Sequence, residues 1–455
     1  MRRSLVDVLA PAAFVAGLAA LAYGWGFVTA EQRLPPRDTL AAMGEAAKGV
    51  WSAYLKPEAR AAGDYVQTVP APPAGPIAAG DRARAAEGLT LVVGYRPEDG
   101  FGARLVDLDG RVRHAWRARF SEVFPQPGHL LWKAPDAAVA WHGVRLFPNG
   151  DLVFNFHGNS FPYGGGLVRL DKDSRVVWAL PRNTHHDVVA DPDDGGATLW
   201  VPDMRYRPEA MPEVPGLKPW FYEDTLLRVA AADGTVVGEV SALKGIAAGL
   251  PGLLSTNYDD HLRVESSDPL HLNAAEPLPA ALASGFPGLA AGDLLVSLRN
   301  VNALAVLDPR TGRAKRAIMG PFAKQHDADW LPGGRIMLFD NRGGEAACGG
   351  SRILELDYVT QAVTWSYDGC GTPEGFLSEL RGMQQVLPNG NVLVAEAMRG
   401  RVFEVAREDR RIVWEYRNIL EGAAEGGRVR VGIVTHAERV PPEALGFLDP
   451  ARPSS

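Results

Sequence analysis

The ten histidines are unevenly placed. His142 lies eight residues before Gly150, His186 nine before Gly195 and His326 eight before Gly334, and each of these glycines sits in a Pro-Asn-Gly or Gly-Gly turn. His271 precedes Gly292 by 21 residues, an interval that holds a Pro/Ala-rich insertion. Imidazole is a nucleophile that needs no prior deprotonation near neutral pH, an acid–base group and a metal ligand. Taken singly, a histidine at a strand end is ordinarily a hydrogen-bonded structural residue. Recurrence at one point of a repeat makes these four candidates for chemistry. Their neighbours are polar in a way a core does not need: His185-His186-Asp187, His271-Leu272-Asn273, Arg299-Asn300-Val301-Asn302 and Gln325-His326-Asp327. In a strand, His271 and Asn273 share a face. An arginine buried in a strand over 295–300, such as Arg299, calls for an anion or carboxylate. His142, His185, Asp187 and Asn302 form a secondary set, while His114, His129, His157, His261 and His436 read as surface or structural.

A repeat supplies the elements that must bring these residues together. Apolar alternation, an aspartate, a turn and a second alternation, often ending in Trp, recur at 103–116, 166–178, 225–239, 303–318, 352–365 and 401–414. Each reads as a β-hairpin. A second hairpin with a Gly-containing turn precedes most copies, at 144–156, 188–201, 292–298, 328–340 and 383–396. Three of the four intervals between its turn glycines run from 42 to 56 residues, the length of a four-stranded propeller blade, and insertions at 202–222 and 241–290 fill the long one. Two hairpins per repeat, six repeats and no helical crossovers predict an all-β, six-bladed β-propeller over 88–440, with 428–435 as the closing strand and 441–455 as a tail. A β-sandwich with chance spacing is the competing architecture. The first strand of each blade lines the axis, so the four histidines would meet there.

With 455 residues, a net charge of −7 and 46% hydrophobic residues, the chain is long enough for a large core and gives no electrostatic reason to bind nucleic acid. Arg2 and Arg3 precede 23 uncharged residues from Val8 to Ala30, enough for a membrane-spanning helix. A cleaved signal peptide ending at Ala30 is the alternative. Both readings leave the arginines inside and export the chain beyond Ala30. The anchor reading over 1–30 places the protein in a bacterial inner membrane, single-pass, with its propeller facing the periplasm or exterior. Segment 31–87 reads as a short helical stretch (38–54) and a Pro-rich linker. The two cysteines, Cys348 and Cys370, are compatible with a disulfide in an exported protein, and spacing alone leaves the bridge open.

Over roughly 88–420 the sequence resembles the bacterial arylsulfotransferase family. The resemblance rests on four ordered features: HHD at 185–187, H-x-N at 271–273, the arginine of SLRN at 297–300, and QHDADWLPGGRIMLFDN at 325–341. It implies a six-bladed propeller and sulfuryl transfer from aryl sulfates to phenols, with no nucleotide donor and no cofactor. It implies His326 as the nucleophile that becomes sulfohistidine, His186 as the general acid–base, and His271, Asn273 and Arg299 as the residues that hold the sulfuryl oxygens. The 31–87 segment is too short for the N-terminal β-sandwich that well-known members carry, which leaves the oligomeric state open. Two other functions fit the same residues. One is a metal enzyme using the axial histidines, with Asp187 or Asp327 behind them, although Arg299 would repel a cation. The other is a non-catalytic, membrane-tethered binding propeller.

Overall fold

The computed structural model describes residues 65–449, apart from 73–76, 79–80, 131–134, 159–161, 215–216, 218–220, 256–267, 345–349, 373 and 421–425, together with Leu21 and Trp25. Contacts divide the chain into two units, 1–60 and 61–455. The expected anchor over 1–30 and the helical stretch over 38–54 fall in the first and, Leu21 and Trp25 excepted, lie outside the described residues. No helix among the described residues is long and apolar enough to cross a membrane.

The second unit is a six-bladed propeller, each blade an antiparallel sheet of four strands running outward from the axis. Blade 2 is Val139–Leu146, Leu152–Gly158, Gly164–Leu170 and Val176–Leu180, and blade 3 is Val189–Ala190, Thr198–Arg207, Phe221–Ala230 and Val236–Ser241. Blade 4 is Leu272–Pro277, Leu294–Leu298, Ala303–Asp308 and Arg313–Ile318, and blade 5 is His326–Leu331, Arg335–Gly344, Gly350–Asp357 and Val363–Tyr367. Blade 6 is Met383–Val386, Val392–Glu396, Arg401–Val405 and Ile412–Arg417. Blade 1 is composite: the C-terminal strand Val434–Val440 pairs inside Leu89–Arg96, followed by Gly100–Val106 and Val112–Arg117. The closing strand therefore begins at Val434. The preceding residues Arg428–Gly432 instead pair with Val66–Pro70, and Ile77–Ala78 adds a fifth strand to blade 6. Part of the expected linker is thus β-structure laid on the propeller. In the expected tail, Pro442–Leu448 forms a 3-10 turn whose Phe447 packs edge-on against His114.

Local chemistry explains the repeat. In the outer hairpins the recurring aspartate folds its own turn: Asp107 Oδ1 accepts from the Asp109 and Arg111 amides at 3.0 and 2.9 Å, and Asp171 Oδ1 from those of Asp173 and Arg175 at 2.8 Å. The alternating apolar residues bury both faces of each sheet. Leu294 and Val296 pack toward blade 3, while Leu295 packs toward blade 5. The recurring tryptophans bridge blades. Trp116 donates to Gly150 O (3.0 Å), Trp178 to Ala231 O (3.0 Å), Trp365 to Arg407 O (3.1 Å) and Trp414 to Leu108 O (3.0 Å). The last of these joins blade 6 to blade 1, where the ring closes. Trp414 is fully buried, so Trp414→Ala is expected to cost about 3–5 kcal/mol of unfolding free energy, measured by urea titration.

Candidate active site

At the start of the inner strands the ladder slips by a residue: between His142 and Val144, Leu272 and Ala274, His326 and Asp329, and Val434 and His436. Left-handed residues mark this point in five blades: Gly143 (φ 50°), His186 (56°), His271 (53°), Asp327 (52°) and Arg381 (60°). Such a conformation is costly for a residue with a side chain and survives only where its surroundings enforce it. Gly143 has no alternative, because a Cβ there would lie 2.3 Å from the His186 carbonyl oxygen. The kink turns the chain at the axis, and His142 Nδ1 donates to that same carbonyl at 2.6 Å, locking blade 2 to the His185-His186 segment.

The histidines meet as the repeat requires. Ring centroids lie 5.4 Å apart for His142–His186, 5.2 Å for His186–His271 and 6.3 Å for His186–His326. His157, read from sequence as surface or structural, is buried in the same cluster, 4.8 Å from His186 and 5.1 Å from His142. It stacks on Tyr163 at 5.3 Å. His436, given the same reading, is also buried, on the inner strand of blade 1. Neither carries a motif, since His157 ends a second strand and His436 belongs to a strand supplied from the far end of the chain.

His326 has its tautomer fixed by its neighbours. Its Nδ1 lies 2.7 Å from Asn341 Oδ1 and 3.0 Å from Lys324 O. The Asn341 amide must present its oxygen, because its Nδ2 donates to the Ser378 and Arg381 carbonyls at 2.8 and 2.6 Å. Both neighbours of Nδ1 are therefore acceptors, Nδ1 carries the hydrogen, and Nε2 keeps its lone pair. Burial, reinforced by the Arg299 charge, holds this imidazole well below its usual protonation range. Asn341 is a positioning residue that the sequence shows only as the last letter of QHDADWLPGGRIMLFDN.

The other expected residues divide between the cluster and its supports. Arg299 stands just past the strand Leu294–Leu298, in the 3-10 turn Arg299–Val301, and not within the strand as expected; its amide donates to His271 O at 3.1 Å and its Nη1 to Asn300 Oδ1 at 3.1 Å. Asn273 donates through Nδ2 to Gln325 O at 2.8 Å, fixing blade 4 to the residue before His326. His185 lies Nδ1 to Nδ1 with His186 at 2.7 Å. Asp187 serves the sheet: its carboxylate accepts from the Val188 and Ala275 amides at 2.9 and 3.3 Å, and burial raises it to about 6. Asn302 Oδ1 accepts from the Lys324 amide at 2.8 Å and so shapes the turn ahead of His326. Asp327 Oδ2 accepts from the Gln384 amide at 2.7 Å, tying blade 5 to blade 6. Cys370 is disulfide-bonded, and Cys348 lies outside the described residues. Among the described residues no group of three or more His, Cys, Asp or Glu is placed to hold a metal ion.

Burial pushes His142 and His185 down to about 3. The unfolded chain takes up these protons near pH 6.5, whereas the folded state resists them until about pH 3. On account of these two rings the fold loses stability as pH falls through that window, and both should remain neutral at about pH 5. Imidazole ¹⁵N shifts would show this, and a protonated signature at that pH would mean that water reaches the rings.

No curated protein matches the chain. Among solved structures, a protein of unknown function from Bacteroides caccae aligns with a TM-score of 0.48 at 12% identity, covering 77% of this chain and 98% of that one. Virginiamycin B lyase from Staphylococcus aureus aligns with a TM-score of 0.38 at 11% identity, covering 82% and 99%. Residues 143–419, which run from the kink at Gly143 through the last strand of blade 6 and include His186, His271, Asn273, Arg299, His326 and Asn341, match the family described as arylsulfotransferase (ASST). The chain belongs to the arylsulfotransferase family.

Proposed function

We propose that this protein moves a sulfuryl group from an aryl sulfate to a phenol in two half-reactions, through sulfohistidine at His326. The observation that carries this reading is the fixed tautomer of His326: Nδ1–H is held by Asn341 and the Lys324 carbonyl, so that Nε2 offers a lone pair. In the first half-reaction Nε2 attacks sulfur, the N–S bond forms, and the S–O bond to the aryl group breaks. In the second, the acceptor phenol oxygen attacks sulfur and the N–S bond breaks. Charge builds on the sulfuryl oxygens in both. Arg299 and the remaining Asn273 N–H are donors of the right type to meet it; each such preorganised donor typically contributes about 3–4 kcal/mol of barrier lowering. An imidazole beside His326, either His186 or His271, exchanges the proton with the phenol oxygen. No nucleotide donor and no metal enters these steps. In the cell, we place the propeller outside the inner membrane, tethered through 8–30, where small aryl sulfates and phenols reach it.

The test is intact mass of the full chain after brief exposure to 4-nitrophenyl sulfate, with chelator and without nucleotide. The expected result is one added SO₃, nitrophenol released in equal amount, and loss of the adduct when phenol is added. No adduct and no nitrophenol would overturn the reading, leaving the histidine cluster as a binding site.

A further inference from the structure

A buried hydrogen-bonded trio abuts the cluster, and none of the sequence motifs contains two of its members. His271 Nδ1 lies 2.7 Å from Asp268 Oδ2, and Tyr163 OH lies 3.2 Å from that same carboxylate oxygen and 3.2 Å from His271 Nδ1. Asp268 is 6% exposed and His271 7%. The Tyr163 ring stands edge-on to His271 at 5.0 Å and stacks on His157. Asp268 comes from the turn before blade 4 and Tyr163 from the strand connection of blade 2, so the trio spans two blades that are not neighbours. The Asp268 backbone is held too, its carbonyl accepting from Asn300 Nδ2 at 2.8 Å.

Resting on the sulfuryl-transfer reading, we infer that Asp268 and Tyr163 arm His271 as the proton donor to the departing phenolate. A general acid must carry a proton it can release, and at its other nitrogen something must stabilise the charge that proton brings. Within the cluster, among the described residues, His271 is the imidazole with a carboxylate hydrogen-bonded to its ring. His142 Nδ1 meets a backbone carbonyl, His326 Nδ1 an amide and a carbonyl, and His185 and His186 meet each other. A second proton on His186 would face another imidazole, while on His271 it is balanced by Asp268. Charge in this region settles on Asp268. Burial alone would raise that carboxyl, but His271 first and then the Tyr163 hydrogen bond bring it below its ordinary value, while burial and the Asp268 charge push Asp224 well above its own. Of these two buried acids, Asp268 is the ionised one.

The step balances. As His326 Nε2 bonds to sulfur and the S–O bond breaks, the proton on His271 Nε2 passes to the phenolate oxygen, leaving neutral His271 with Nδ1–H on Asp268. In the second half-reaction the acceptor phenol returns its proton to His271 Nε2 as its oxygen takes the sulfuryl group from His326. Asp268 and Tyr163 touch neither substrate nor sulfur, so they are positioning residues, and the test needs a readout that a loss of packing would not move. That readout is leaving-group dependence, because a proton donor matters most for the more basic phenolate.

The experiment compares adduct formation from phenyl sulfate and from 4-nitrophenyl sulfate in single turnovers of the full chain, for wild type, Asp268→Asn and Tyr163→Phe. Asp268→Asn should slow the phenyl sulfate reaction about 100-fold and the 4-nitrophenyl sulfate reaction less than about 5-fold. Tyr163→Phe should show a smaller split in the same direction, and it keeps the test decisive if Asp268→Asn does not fold. Equal losses on both donors would overturn the inference and reduce the trio to a structural role. Absence of any adduct on the wild type would overturn the sulfohistidine reading itself, before the variants are compared.

Discussion

Replacing His326 by alanine is expected to abolish the covalent adduct and to lower turnover of 4-nitrophenyl sulfate by about 10⁴-fold or more. That is roughly 5.5 kcal/mol of barrier. The size of the effect reflects the groups this position supplies. Its Nδ1 has two acceptors at 2.7 and 3.0 Å, so Nε2 is the nitrogen free to react. Burial and the Arg299 charge keep the ring neutral, so the reactive form needs no activating step. His142 shares this tautomer, its Nδ1–H held by the His186 carbonyl, but its Nε2 is fully enclosed by protein, and His186 faces His185. Intact mass and nitrophenol release, read together, check the prediction. An adduct of unchanged yield on the alanine variant would move the nucleophile elsewhere in the cluster.

The second large effect is expected at Arg299. Arg299→Ala should lower kcat by about 10²–10³-fold, the cost of one preorganised donor to developing charge. Arg299 is half-buried with its guanidinium on Asn300, and its charge is felt by both His326 and Tyr163. An aryl sulfate is a monoanion, so its developing charge is of the sign this guanidinium attracts. The same charge discourages protonation of His326, so the alanine variant should also lose its remaining activity at a higher pH than wild type as acid is added. The pH profile of single-turnover adduct formation measures this. Arg299→Lys should recover only part of the loss, since an ammonium presents a point charge without the planar fork. Equal kcat in wild type and Arg299→Ala would remove Arg299 from the proposed oxygen-binding set.

The candidate site was legible in sequence to the extent that it is periodic. His142, His186, His271 and His326 recur at one point of the repeat, and the propeller brings that point of successive blades to one axis, so the cluster follows from local spacing. The outer hairpins were equally legible: their turns and alternating apolar residues are contained within 13 to 16 consecutive positions, and all six form where the repeat marks them. Arg299 was found by type and placed one element too early, because the strand ends at Leu298 and the next 3-10 turn carries its side chain.

The tertiary structure decided whatever depends on partners far apart in the chain. Blade 1 closes with Val434–Val440 because Leu89–Arg96 lacks an inner neighbour of its own, and the preceding Arg428–Gly432 is taken by Val66–Pro70, a strand that alternation alone could not assign a mate. His157, Tyr163 and Asp268 sit at strand ends and turns outside the repeated positions, and they enter the cluster only because blades 2 and 4 both reach the axis. Asn341 acts on His326 from the next strand, with its amide oriented by carbonyls of Ser378 and Arg381 from the connection into blade 6. A periodic sequence determines which residues face the axis, since that is a matter of strand alternation and turn chemistry. Which nitrogen carries a proton depends on hydrogen bonds made across blades, and those exist only once the ring has closed.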